Sequence, residues 1–482
     1  MGSALNCCFF MYIDAESNRL IQCEGVLLLR NKRFLALTAG MAAALLLLAG
    51  CKSSPVVAPP AQPPPAESER GSLKIVYFTE DQFKTDYGNF FKKHHPDIDI
   101  QIIPALVSNG GKMTPVESSV LMDQKPDIVS ASLLSDLSPS GKLLDLEQLM
   151  KQDQMEQNQF SSTALEAIRV NYGGGSSLVA LSPSFQTAAL YYNKAIFDRL
   201  NIPYPTSDMS WRSVLQLAER VARVEDGKQL YGLEYFGTPN TLMSNYIAGT
   251  GAESRSSDGR KAQYTLEANK RATNEFIDAV RNGAVYVPPE NIPSGLKIKE
   301  HTLLRNKFAA GEAAMRIDNP SLIGTQKQIA SGVPEFPAFP LSIVTDPINP
   351  QKPGQSIHVQ VGDLFGIVSS SPNTKTAWQF IKFLIGPEMA AELEKTKPRV
   401  LSIRTDASKT RDGYHLEAFY SRKPLQNPSR SPVSVQTSME IAAIATQEFN
   451  NMIYGRRNVT EGLQTIQDQV QKLLDQEFTD KK

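Results

Sequence analysis

Three short apolar runs separated by a helical stretch constrain this chain more than any other feature. LKIVYF at 73–78 reads as a strand, 83–94 has apolar residues at helical spacing, and IDIQII at 98–103 alternates with period two. PDIV at 126–129 opens a further buried strand. Strand–helix–strand order of this kind predicts an α/β fold, with parallel sheets covered by helices. Ligands in that architecture bind beyond the carboxyl ends of the strands.

The segment ahead of this body reads as an export signal. Leu29-Arg30-Asn31-Lys32-Arg33 is basic, and the apolar run 34–48 is too short to span a bilayer comfortably. It closes on Leu48-Ala49-Gly50-Cys51, which resembles a bacterial lipoprotein signal. That resemblance implies cleavage before Cys51, acylation of its thiol with a palmitate-type chain, and a membrane anchor on the outer face of the cytoplasmic membrane. A short transmembrane anchor is the competing reading. The remaining cysteines, Cys7, Cys8 and Cys23, all precede Cys51, so the exported body needs no disulfide. Residues 1–25 match no targeting logic, and the expected translation start lies just beyond Glu24-Gly25, at Leu27, Leu28 or Leu29. Residues 1–50 are thus a leader and signal peptide. The stretch 51–72 is a lipidated tether with six prolines after the cysteine, reaching about 60 Å when extended.

Beyond residue 72 the body has roughly 410 residues, more than a single core comfortably serves, which predicts two domains. The 50 Lys and Arg residues balance 50 Asp and Glu, so no net field draws the chain to nucleic acid or anionic lipid. No repeat of fixed period is present to suggest a solenoid or propeller. The body has no G-x-S-x-G elbow, P-loop, H-E-x-x-H or Cys/His cluster. No enzyme, cofactor or metal is expected. His94-His95 closes a helix before Pro96, a favourable place for a cation. The glycine run 173–175 followed by Ser176-Ser177 precedes a strand-like LVAL at 178–181, and a hairpin turn is the expectation there.

Several segments carry a family resemblance across nearly the whole body. KPDIV at 125–129, GKLLDL at 141–146, TAALYYNKAIF at 187–197, IPYP at 202–205, the Met209-Ser210-Trp211 helix entrance, FAAGEAAM at 308–315 and WQFIKFL at 378–384 occur in order. Together they resemble the extracellular solute-binding proteins of ABC importers, in the maltose-type branch. The resemblance implies a two-lobed, periplasmic-binding-protein-like fold with an interlobe cleft and chain crossovers at the hinge. It places crossings near Phe185-Gln186, Met315 to Asn319 and Gly362-Asp363. Lobe I would comprise 73–185 and 316–362, and lobe II 186–315 and 363–482.

On that expectation the ligand-binding candidates are Phe78, Glu80, Asp81 and Ser132 at strand ends of lobe I, and Gln186, Asp318, Asn319 and Asp363 at the crossings. Carboxylates suit sugar hydroxyls as hydrogen-bond acceptors, although Asp, Asn and Ser also serve turns and helix caps. Sugar binders stack pyranose faces on tryptophan. Here Trp211 and Trp378 both lie in helix-like segments where packing is the better reading, and Pro320-Ser321-Leu322 stands where a platform is expected. Tyr235 and Tyr246 are the aromatic substitutes expected to bind ligand, with Phe236 and Phe365 as further candidates. The resulting expectation is a monomeric, lipid-anchored capture protein whose hinge closes on a small solute, a sugar or oligosaccharide, and delivers it to ABC permease subunits. A surface lipoprotein using the fold for sensing or protein interaction is the alternative, and an anchored hydrolase is the weaker third.

Overall fold

The computed structural model describes residues 71–479 apart from 110–111, 175, 337–338, 408 and 426–432. The leader, Cys51 and nearly all of the tether lie outside the described residues. Its last two residues do not: Gly71 and Ser72 already belong to the first strand, where Gly71 pairs with Ile98. No helix among the described residues is long and apolar enough to cross a membrane.

The predicted strands form the first sheet. Gly71–Tyr77 lies parallel to both Ile98–Pro104 and Ile128–Ser130, and Phe365–Ile367 adds antiparallel to the outer edge of Ile128–Ser130. Between the first two strands runs a helix from Glu80 to His94, interrupted by a π turn at Lys84–Gly88. Thr79 caps it by accepting from Gln82 N at 3.2 Å, and His95 ends it as foreseen. Phe83, Tyr87 and Phe91 recur every fourth residue on one face and are all buried. They pack against Tyr77, Phe365 and Phe380 in an aromatic core. Burial of each such ring contributes roughly 1.5–3 kcal/mol.

The second sheet has the order Leu341–Thr345, Ala189–Asn193, Ala313–Asp318, Lys228–Tyr235, Arg223–Glu225. Only Ala313–Asp318 and Lys228–Tyr235 are parallel neighbours. Its helices bury Trp211, Phe276, Phe449 and Leu463 among others. Helix Trp211–Val221 starts at Ser210, whose hydroxyl accepts from Ser213 N at 3.0 Å. Trp211 is 2% exposed and lies so close to Gly249 that a Cβ there would meet its ring at 2.1 Å. Both tryptophans are therefore packing residues; Trp378, in helix Thr374–Leu384, donates its indole N–H to Asp153 Oδ2 at 2.9 Å.

Two expectations are corrected. The late segments exchange sheets: Leu341–Thr345, expected in lobe I, pairs with Ala189–Asn193, while Phe365–Ile367, expected in lobe II, pairs with Ile128–Ser130. The physical reason is that Ala313–Asp318 does not leave the second sheet but runs through its middle, so no crossing occurs at Met315 to Asn319. Among the described residues the glycine-rich stretch is not flanked by the paired strands of a hairpin. Gly173 caps helix Ser162–Tyr172, and Leu178 to Leu181 form no regular ladder beyond a bridge from Leu181 to Phe365.

Candidate functional site

The two sheets are joined where the chain passes between them, and the first two passages run side by side. Leu181 bridges Phe365, and Gln186 bridges Gln360 with paired backbone bonds of 2.7 and 3.0 Å. Ser182 Oγ lies 2.6 Å from both Ser184 O and Gly362 O, and its single proton serves one carbonyl at a time. The crossings expected at Phe185-Gln186 and Gly362-Asp363 are thus adjacent strands of one antiparallel ribbon. Gln186 is exposed on it.

Asp363 takes a left-handed backbone, φ 47°, a costly conformation for a residue with a Cβ. Its carboxylate accepts from Tyr87 Oη at 2.6 Å and Tyr77 Oη at 3.2 Å. Tyr77 Oη is also 3.1 Å from Asp86 in the π turn. Lys397 stands 2.8 Å from Asp86 and 3.6 Å from Asp363, with its ammonium 4.7 Å from the centre of the Tyr87 ring. Burial, then the charges of Asp363 and Asp86, push the Tyr77 phenol far above its ordinary range. Burial and Asp363 do the same for Tyr87. Both phenols are therefore fixed donors, and they hold the crossing strand against the first sheet. Tyr77 and Tyr87 escaped sequence reasoning because a buried tyrosine at helical or strand spacing looks like any core aromatic.

Phe78 follows directly on the strand, half-buried, its ring 5.2 Å from Tyr77. Glu80 and Asp81 are exposed in the first helical turn, and Glu80 pairs with Lys84 at 2.7 Å. Ser132 lies in helix Ala131–Leu137, which follows the third strand. Phe365 is fully buried and stacked on Tyr77 at 5.9 Å, so it belongs to the core and not to a ligand surface.

From the second sheet, Tyr235 ends its strand beside Phe236, with ring centres 4.6 Å apart. Phe236 is 40% exposed. A Cβ at Gly237 would meet the Tyr235 ring at 2.7 Å, so glycine is what lets that ring lie across the chain. Asn245 donates to Tyr235 Oη at 2.8 Å, and Tyr235 Oη is 3.3 Å from His358 Nε2. His358 Nδ1 is 3.0 Å from Asp346 Oδ2, which also accepts from Ser356 Oγ. With Asp346 as acceptor, His358 donates its Nδ1–H to that carboxylate. His358 and Asn245 were missed: an isolated His and Asn carry no pattern that predicts this convergence.

Tyr246 and Asp318 are corrected. Tyr246 is 2% exposed, inside the second core, and donates to Glu275 Oε2 at 2.8 Å. Asp318 is buried against Arg316 Nε at 2.6 Å, while Arg316 Nη1 lies 2.8 Å from Glu234 Oε2. Burial raises the Asp318 carboxyl above its ordinary range against the opposing pull of Arg316. Neither side chain presents a free face to a ligand. Asn319 is half-buried and performs turn chemistry, accepting from Ser321 N at 3.0 Å through its side chain and from Tyr191 Oη at 3.0 Å through its carbonyl. Away from the crossings, a surface hollow of about 430 Å³ is lined by Asn274, Arg281 and 458–461; none of the expected residues borders it. Among the described residues no His, Cys, Asp and Glu group is arranged to hold a metal ion.

No curated protein matches the chain. Solved structures do match it in fold. An ABC substrate-binding protein from Listeria monocytogenes in complex with cycloalternan is 16% identical with a TM-score of 0.52, over 84% of this chain and 100% of that one. An extracellular solute-binding protein, family 1, from Alicyclobacillus acidocaldarius gives 16% and 0.57, over 84% and 98%. The sugar-binding protein MalE from Xanthomonas citri gives 13% and 0.56, again over 84% and 98%. These likenesses establish the two-lobe α/β architecture. The model of the family described as bacterial extracellular solute-binding protein matches residues 68–391, most of the body, and the chain belongs to that family.

Proposed function

We propose that the protein captures a small solute, a sugar or oligosaccharide, between its two lobes and presents it to the permease of an ABC importer. The observation that carries this reading is the paired crossing at 181–186 and 360–365, with Phe78 at a strand end of one lobe and the Tyr235-Phe236 pair at a strand end of the other. Rings stack on the apolar faces of sugars, and the exposed amide of Gln186 suits hydrogen bonding to hydroxyls. Two of the similar structures, one in complex with cycloalternan and one the sugar-binding protein MalE, support this solute class. A solute touching both lobes favours their closure by its differential affinity. The lobes divide at the crossings, the first holding 71–185 with 363–400 and the second 186–362 with the C-terminal helices. Cys51, acylated after signal cleavage, tethers the body to the membrane.

Calorimetric titration with maltose, maltotetraose and cycloalternan tests the reading. Binding should weaken at least about tenfold, roughly 1.4 kcal/mol, in Phe78→Ala and in Phe236→Ala, with the unliganded melting temperature nearly unchanged. Absence of binding to all three probes, or equal affinity in both variants, would sink it. Anchoring has its own check. Cys51→Ser should abolish acylation, and a lipid-modified Cys51→Ser protein found by mass spectrometry would refute that part alone.

A further inference from the structure

Residues 401–425 follow the segment matched by the family model, which ends at 391, and their described residues are bonded to both lobes. On the first-lobe side, Leu401–Ser402 pairs with Ser184–Phe185. Ser161 N donates to Ile403 O at 2.6 Å, Thr405 N to Gln159 O at 3.0 Å, and Thr163 Oγ1 to Tyr420 O at 2.9 Å. On the second-lobe side, the fully buried Phe419 meets the Tyr191 ring at 5.9 Å. Arg422, 5% exposed, donates to Asp208 Oδ1 at 2.7 Å and lies 3.7 Å from Asp346. Lys423–Pro424 then pairs with Gln355–Ser356.

The hairpin Thr410–His415 extends this bridge furthest. Its Arg411 donates to Pro398 O at 2.7 Å, which ties it to the first-lobe side. Asp412 at its tip, φ 47°, accepts from Lys327 Nζ at 2.9 Å. Lys327 belongs to helix Leu322–Gly332, which follows the central strand of the second sheet. A passage that only joined two lobes would leave them free to rotate. This one must slide or break wherever they do, and its contacts differ in kind: Phe419 and Arg422 are desolvated, whereas Lys327 is 72% exposed. Buried anchors resist separation, while an exposed ion pair holds weakly and releases readily.

We propose that residues 401–425 are a brake on lobe movement in the solute-free protein, with Phe419 and Arg422 as its anchors and Lys327–Asp412 as its releasable catch. This rests on the capture reading for its purpose, but its test needs no solute, so the two fail separately. Spin labels placed by Lys93→Cys and Val224→Cys, both at exposed positions, report the interlobe distance in the full chain once its four native cysteines are changed to serine. Pulsed dipolar spectroscopy should give one narrow distance population. Asp412→Lys should move population into a second by up to about fivefold, the range of an exposed pair, and adding Lys327→Glu should restore the first. Phe419→Ala, if circular dichroism shows it folded, should broaden the distribution more. A parent distribution already broad, or one unchanged by Asp412→Lys, overturns the brake.

Discussion

The two lobes solve the same packing problem with different chemistry. In the first, the core behind the site is built of rings: Tyr77, Phe83, Tyr87, Phe91, Phe365 and Phe380 contact one another edge-on or stacked. Its charged cluster, Asp86, Asp363 and Lys397, meets two phenols at the margin, and the buried Asp127 is satisfied by neutral donors, Lys74 N and Ser371 Oγ, rather than by a cation. In the second, charge enters the sheet itself. Arg316, 7% exposed, is held between Glu234 and Asp318, and Glu234 also accepts from the backbone of Lys307 and Phe308 at 3.0 and 2.8 Å. An aromatic core tolerates partial loss of contact gradually, whereas a desolvated ion cluster is satisfied only as a whole.

The largest expected effect breaks the second lobe's cluster. Arg316→Met leaves two buried carboxylates without a cation and should cost about 3–5 kcal/mol, read as a lower midpoint in urea denaturation. A loss below about 1 kcal/mol would mean that the cluster is solvated and that the contrast between lobes is overstated. Next, Phe380→Leu in the first lobe should cost about 1–3 kcal/mol through shape mismatch without altering the denaturant slope. An effect equal to that of Arg316→Met would erase the distinction.

The smallest effect concerns acid stability at the first lobe's edge. Hydrogen bonds from Lys382 and then Trp378 hold the Asp153 carboxyl below the ordinary range of an aspartate. A folded pKa below the unfolded one means that its stabilisation is present above about pH 4 and is lost as pH falls through the lower folded value. The side chains are about a third exposed, so the contribution is well under about 1 kcal/mol. Trp378→Phe together with Lys382→Met should flatten thermal stability between pH 4 and 2 relative to the parent; an unchanged slope would remove Asp153 from the account.

Much of the first lobe was legible in the chain because its strands and helix are contiguous and periodic. Residues 73–78, 98–103 and 83–94 predict their elements within a few positions. Both tryptophans read correctly as packing residues, since each stands on the apolar face of a helix whose start is marked locally. The site was legible only in part. Tyr235 and Tyr246 look alike from their neighbours, yet one ends a strand beside an exposed phenylalanine and the other is enclosed between helices. Asp318 resembles a hinge acid until Arg316, two residues earlier on the same buried strand, is seen to claim it.

Local periodicity and capping are properties of neighbouring residues and can be read along the chain: the α/β class, the order of the early strands, the helix beginning at Ser210 and its buried Trp211. Which sheet receives Leu341–Thr345 and Phe365–Ile367, and which aromatic side chains keep an exposed face, depends on long-range packing. Pairing of distant strands is set by competition among whole surfaces for burial and hydrogen bonds, and the same short apolar run satisfies either sheet until the middle of each is occupied. With Ala313–Asp318 at the centre of the second sheet and Phe365–Ile367 in the first, the chain crosses at 360–363, which sets Asp363 beside Tyr77, Tyr87 and Lys397.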